Sequence, residues 1–265
     1  MRRVVSLLAS LGALAAAAGC ELLVGIKDKS EASDASTGET STGDASDEDP
    51  DGPCAKQPAN LFCDDFDSEI EAGDGWTWDL SMAGGAVGFD TTDYVTKPRS
   101  ALFTIPGAGT PSAQLGQNIG PDLQSGYRLS FDLRLDVDDL SSVPQLGVAQ
   151  VYRTPQTDVL SFNYVVGPGA TASVQLFEGT SQTMTILPLT QTPPTRTWTR
   201  IVMVYDATEG VTVIEDDRTI GSSTAAAHGP PGQTSVIVGA VYSNPGNPSA
   251  SAVTFAIDDV VLRGE

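Results

Sequence analysis

Two aspartates, Asp258 and Asp259, stand side by side inside AIDDVVL, a run whose aliphatic and β-branched residues favour a strand. Successive strand residues point to opposite faces, so a regular strand would turn one of the two carboxylates toward the core. A second adjacent pair, Asp64 and Asp65, lies in LFCDDFDS. Carboxylates grouped in this way suit three kinds of chemistry: acid–base catalysis, ligation of a hard cation, or acceptance of backbone N–H groups. Other residue types narrow the choice. The single histidine, His228, lies in AAAHGPPG with no Gly-x-Ser-x-Gly motif nearby, which leaves a serine–histidine triad without its parts. No cluster of His and Cys exists to hold zinc. Glu69 and Glu71 are spaced i, i+2 in SEIEAGDGW, which reads as a surface loop after a strand. Trp76 and Trp78, in GWTWDLS, share a face if the segment is extended. Exposed, such a pair stacks on sugar rings; buried, it fills a core.

The elements that must position these groups are strands. YRLSFDLRLDV alternates strictly, with Tyr127, Leu129, Phe131, Leu133, Leu135 and Val137 on one face and Arg128, Ser130, Asp132, Arg134 and Asp136 on the other. QLGVAQVYR, VLSFNYVVG, ASVQLFEG, WTRIVMVYD, VTVIEDD, TSVIVGAVY and VTFAIDDVVL are further strand candidates, separated by clusters of Gly, Pro and Asn. Many short strands with one apolar face imply two packed antiparallel sheets, and no helical stripe competes with that reading. The formal charge of −20 excludes a nucleic-acid partner, whose phosphates the chain would repel. It also keeps the protein from anionic membrane surfaces unless something anchors it.

An anchor is present in the sequence. Arg2 and Arg3 precede the apolar run VVSLLASLGALAAAA, of signal-peptide length, and the run ends in AAGC. This stretch resembles a bacterial lipobox, which implies cleavage after residue 19 and acylation of Cys20. Two or three acyl chains, at roughly 0.8 kcal/mol per buried CH₂, give stable membrane attachment. With Cys20 lipidated, Cys54 and Cys63 remain as a pair, and in an exported chain they are expected to form a disulfide. Between anchor and folded body runs KDKSEASDASTGETSTGDASDEDPDGP, which has no aromatic or β-branched aliphatic residue. Such a segment cannot offset its ordering entropy and reads as an acidic, self-repelling tether. It lacks the regular spacing of a calcium loop. The expected organisation is therefore a leader over 1–19, a lipid-anchored disordered linker over 20–59 and a β-sandwich domain over 60–265.

The order of LFCDDFDS, GWTWDLS, TRTWTRIVMVYD, VTVIEDDRTIG and FAIDDVVL resembles that of the concanavalin A-like, or laminin G-like, jelly roll. The resemblance covers roughly Asn60 to Glu265 and implies that the first and last strands are neighbours. Asp64, Asp65, Asp258 and Asp259 would then lie together, and members of this fold carry structural calcium, so one calcium ion across the two strands is an expectation. A bulge that turns the acids outward, or N–H and Arg partners that satisfy them, would serve equally. The fold also hosts glycosidases and polysaccharide lyases. The hydrolase signature Glu-x-Asp-x-x-Glu is absent, so no catalytic residue is assigned. The combined reading is a lipoprotein of the bacterial cell envelope, at the outer rather than the inner membrane. It presents a non-catalytic module for a glycan or another envelope protein, with Trp76 and Trp78 as candidate ligand contacts. The alternative is a carbohydrate-active enzyme working through Glu178, Asp132 or Asp136.

Overall fold

The computed structural model describes residues 54, 60–67, 71, 73–107, 111–121, 126–137, 146–154, 158–165, 171–178, 183–190, 194–224, 233–243 and 252–264. The leader, Cys20 and all of the expected tether but Cys54 lie outside them. Fifteen strands form two antiparallel sheets. The eight-stranded sheet contains β1 (Asn60–Asp64), β3 (Ala86–Asp90), β4 (Ser100–Ile105), β6 (Gly126–Asp136), β11 (Thr199–Asp206), β12 (Gly210–Glu215), β13 (Arg218–Ser223) and β15 (Val253–Gly264). Its order is β13-β12-β11-β6-β15-β4-β3, with β1 also paired to β15. The seven-stranded sheet contains β2 (Trp78–Met82), β5 (Ser112–Pro121), β7 (Leu146–Thr154), β8 (Asp158–Val165), β9 (Thr171–Glu178), β10 (Thr183–Pro188) and β14 (Gln233–Ser243), in the order β10-β9-β8-β7-β14-β5-β2. The two-sheet antiparallel sandwich expected from the alternation is what forms. No helix among the described residues is long and apolar enough to cross a membrane.

The core follows from the period-two pattern. Tyr127, Leu129, Phe131, Leu133 and Leu135 of β6 are all buried toward the other sheet. There they meet the apolar alternates of β5, β7, β8 and β14, among them Leu115, Val151, Leu160, Val236 and Val238. Phe131 and Phe162 meet edge to face across the two sheets, with ring centroids 6.0 Å apart. Complete burial of each such side chain contributes about 1.5–3 kcal/mol. The hairpin between β12 and β13 turns on Asp216 and Asp217, both at positive φ (44° and 65°), the backbone that lets a two-residue turn follow the twist of the strands.

β15 is the strand that organises the candidate site. Along one edge it pairs with β6. Along the other it pairs first with β4, from Val253 to Ile257, and then with β1, from Val260 to Arg263. Asp258 and Asp259 occupy the gap between those two partners. The first and last strands of the sandwich are thus neighbours, with Asp64 opposite Val260. The Cys54–Cys63 disulfide is formed. Cys63 stands opposite Val261, on the face turned away from the core.

Candidate functional site

The adjacent aspartates do not point to opposite faces. The β15–β6 register shifts between Asp258 and Val261, and Asp259 adopts φ 50°, so the strand bulges where its outer partner changes. Both acids lie on the outer side of the eight-stranded sheet, yet they are 0% and 4% exposed because the connection between β3 and β4 covers them. The backbone N–H groups of Val95 and Thr96 donate to Asp258 Oδ2 at 2.9 and 3.1 Å, and Asp259 N donates to Asp258 Oδ1 at 2.9 Å. Thr96 Oγ1 donates to Asp259 Oδ1 at 3.0 Å. Arg200 closes the cluster from β11. It pairs with Asp132 and donates to the Asp259 carbonyl at 3.2 Å and to Ser130 Oγ at 3.0 Å.

The electrostatics of this cluster are unfavourable to charge. Burial, then repulsion from Asp259, holds Asp258 above the usual carboxylate range despite its N–H donors. Burial, then Asp132, does the same to Asp259. Burial also raises Asp132 against the pull of Arg200. Asp67, two residues beyond Asp65, is pushed up to about 7 by burial, Asp65 and, to a smaller extent, Asp259. Its Oδ1 is buried with no hydrogen-bond partner among the described residues. Asp67 was not singled out in the sequence. The signal was its place in the run DDFD, where three acids flank one aromatic.

The four residues expected to share calcium divide into two pairs of roles. Asp64 is engaged elsewhere: its Oδ1 accepts from Phe66 N at 2.7 Å and its Oδ2 from the indole N–H of Trp76. Asp258 is engaged by backbone donors, as above. Asp65 and Asp259 each accept a hydrogen bond, from Asp67 N at 3.3 Å and from Thr96 Oγ1 at 3.0 Å, and lie within electrostatic reach of each other and of Asp67. The donor set is all oxygen, as a hard cation requires, and Asp67 adds a carboxylate oxygen that no described residue partners. As positioned, no three His, Cys, Asp or Glu side chains among the described residues surround a single metal point.

The two candidate tryptophans do not share a face, because β2 begins only at Trp78 and Trp76 belongs to the preceding turn. Trp76 is buried between Phe62 and Phe66, at centroid distances of 4.8 and 6.1 Å. Trp78 is half-buried and lies on the outer face of the seven-stranded sheet. Its register partner there is Gly116 of β5. A Cβ added to Gly116 would lie 2.1 Å from Cε2 and Cζ2 of Trp78, so the indole rests directly across the glycine. The same face continues with Ile237 of β14 and Gln150 of β7, which follow Gly116 in register, and with Asn118, Ser235 and Tyr152 one row along. Ser235 Oγ donates to Asn118 Oδ1 at 2.9 Å. Gly116 is the residue that sequence reasoning missed at this site; only the strand register reveals why it is small.

The rival acids are placed less favourably for catalysis. Asp132 is paired with Arg200. Asp136 is one of three carboxylates around Arg134, at 2.9 Å, with Asp90 at 2.8 Å and Asp93 at 2.6 Å. Arg134 lies 5.2 Å from the Trp198 ring, whose N–H donates to Asp93 Oδ1 at 2.8 Å. This hub fastens the β3–β4 connection onto the sheet. Glu71 is exposed; Glu69, His228 and the Glu178 side chain lie outside the described residues.

No protein-family model and no curated protein sequence matches the chain. Solved structures do match in fold. The endo-beta-1,4-glucuronan lyase of the fungus Trichoderma reesei superposes with a TM-score of 0.61 at 14% identity, over 78% of this chain and 96% of that one. A cellulose-induced protein, Cip1, gives 0.54 at 15% identity, over 77% and 97%. The binding domain of botulinum neurotoxin serotype D gives 0.52 at 9% identity, over 78% of this chain and 48% of that one. The chain therefore has the concanavalin A-like jelly-roll fold, as the order of its motifs implied.

Proposed function

We propose that this protein is a glycan-binding module held at the bacterial cell envelope by a lipid on Cys20 and raised from the membrane by its acidic tether. The observation that carries the binding role is Trp78, whose indole is laid across Gly116 on an outer sheet face lined with amide and hydroxyl groups. A flat aromatic with neighbouring hydrogen-bonding side chains is what a sugar ring needs: an apolar face to stack on and partners for its hydroxyls. Two of the fold neighbours, by name a glucuronan lyase and a cellulose-induced protein, support a carbohydrate ligand. Binding is preferred over catalysis because Asp132 and Asp136 are held by arginines rather than facing each other across a cleft. The test is affinity electrophoresis of the full chain through a polysaccharide panel. Trp78→Ala is expected to weaken retardation about tenfold, or ~1.4 kcal/mol, with an unchanged melting temperature. Retardation insensitive to Trp78, or new reducing ends in the panel, would overturn the reading. The lipid is tested by acyl labelling in cells, expected for the native chain and lost in Cys20→Ala.

A divalent cation belongs to the same proposal. Calcium would have to draw Asp65, Asp67 and Asp259 around one point, which they do not surround as positioned; it would then partner the Asp67 oxygen and offset the mutual repulsion, with Asp64 and Asp258 holding the surrounding backbone. Millimolar calcium is expected to raise the melting temperature at pH 7.5, and EDTA to lower it, with Asp67→Asn insensitive to both. A melting temperature indifferent to calcium and EDTA in the native chain removes the ion from the account.

A further inference from the structure

The seven strands that build the Trp78 face contain a single basic residue, Arg153 of β7. Arg153 does not reach that face. It shares the inward parity of Val151, its register partner is the buried Thr234, and it is 2% exposed. The connections that lead to and from these strands add only Arg196 and His228, and His228 lies outside the described residues. Residues 65–77, 83–85, 106–111, 122–125, 137–145, 155–157, 166–170, 179–182 and 244–252 hold no Lys, Arg or His. Arg196, in the connection to β11, is placed at the other sheet, where its N–H donates to the Leu135 carbonyl at 2.9 Å. The remaining Lys and Arg residues after Asn60 belong to the eight-stranded sheet and its β3–β4 connection. The partition is therefore sharp: one outer face has the arginines, and the other has an aromatic plate with Gln, Asn, Ser and Tyr.

From this charge pattern we infer that the Trp78 face takes an uncharged polysaccharide and discriminates against polyuronates. The inference rests on the glycan reading above and narrows it to a ligand class. A uronate chain carries one carboxylate per residue, and each must be desolvated against a face with no cation among the described residues, on a protein whose formal charge is −20. Abstraction of the proton beside a uronate carboxylate also requires a positive or hydrogen-donating group to take up the charge that develops on it. Among the strands of this sheet only Arg153 is basic, and it is turned away. A neutral hexosan has no such requirement. Its ring stacks on Trp78, and its hydroxyls exchange water for the side chains of Gln150, Asn118 and Ser235, which both donate and accept.

The test uses matched pairs on one backbone: hydroxyethyl against carboxymethyl cellulose, native against carboxymethyl galactomannan, and native against carboxymethyl starch. Each is run with the full chain, by affinity electrophoresis and calorimetry at low and at high salt. The neutral member of at least one pair is expected to bind, and its carboxymethyl partner to bind about tenfold more weakly at low salt, with the gap narrowing as salt screens the repulsion. Gln150→Arg, which places a cation beside Ile237, is expected to recover several-fold affinity for the carboxymethyl form. Equal or tighter binding of the carboxymethyl member, with Trp78 still required, overturns the ligand class while leaving the glycan reading intact. Release of unsaturated product from glucuronan overturns it as well. If neither member of any pair binds, the glycan reading fails and the inference falls with it.

Discussion

Trp76 and Trp78 are two residues apart and end in opposite environments, one buried and donating its indole N–H to the half-buried Asp64 carboxylate, the other lying on the sheet's outer face. Their spacing was legible; their fates were not, because β2 begins between them. The aspartates teach the same lesson in reverse. Adjacent acids in a strand imply a local irregularity, and the bulge at Asp258 and Asp259 is that irregularity. Its burial comes from Val95 and Thr96, more than 160 positions away, and no local pattern encodes that contact. The cluster also fixes a pH response. Asp67, Asp258 and Asp259 hold their protons more tightly folded than unfolded. The stability they contribute is complete below the ordinary carboxylate value of about 4 and is lost as pH rises through their raised values, about 7 for Asp67. In EDTA, the melting temperature is expected to fall steadily from pH 5 to pH 8, with a shallower slope in Asp67→Asn. A melting temperature that climbs across that window would contradict the assignment.

At the scale of elements, β6 is the strand the sequence describes best. Its apolar alternates are all core, as the period-two pattern required. Its polar alternates share the other face, and alternation alone does not say whether that face is open or covered. Ser130, Asp132 and Arg134 are buried as well. Arg134 gathers Asp90, Asp93 and Asp136 beneath Trp198 and so fixes the β3–β4 connection in place. Removing it leaves three carboxylates facing one another. Arg134→Met is expected to cost about 3 kcal/mol and to expose the 91–99 segment to proteolysis first, read by chemical denaturation and limited digestion. Charge removal at the partner, Asp93→Asn, is milder because Asp93 is half exposed.

For the whole molecule, apolar side chains from both sheets meet in one core. The fold class followed from alternation and breaker spacing, since those features report on the strand itself. Strand order did not, because pairing partners such as β6 and β15 lie more than a hundred residues apart. The Phe131–Phe162 contact is the direct aromatic link between the two sheets at that point. Phe131→Ala is expected to cost about 3–5 kcal/mol through the cavity it leaves, whereas Phe162→Leu retains most of the volume and costs far less. Equal losses from the two would mean that the sheets slide to fill the space rather than hold their spacing.

The central position of β15 bears on how the chain is made. Every earlier strand of the eight-stranded sheet can be synthesised and still lack the neighbour that joins β6 to β4 and β1. Until β15 emerges, that sheet is three unjoined pieces, β13-β12-β11-β6, β4-β3 and β1, so the sandwich closes only when the last strand is in place.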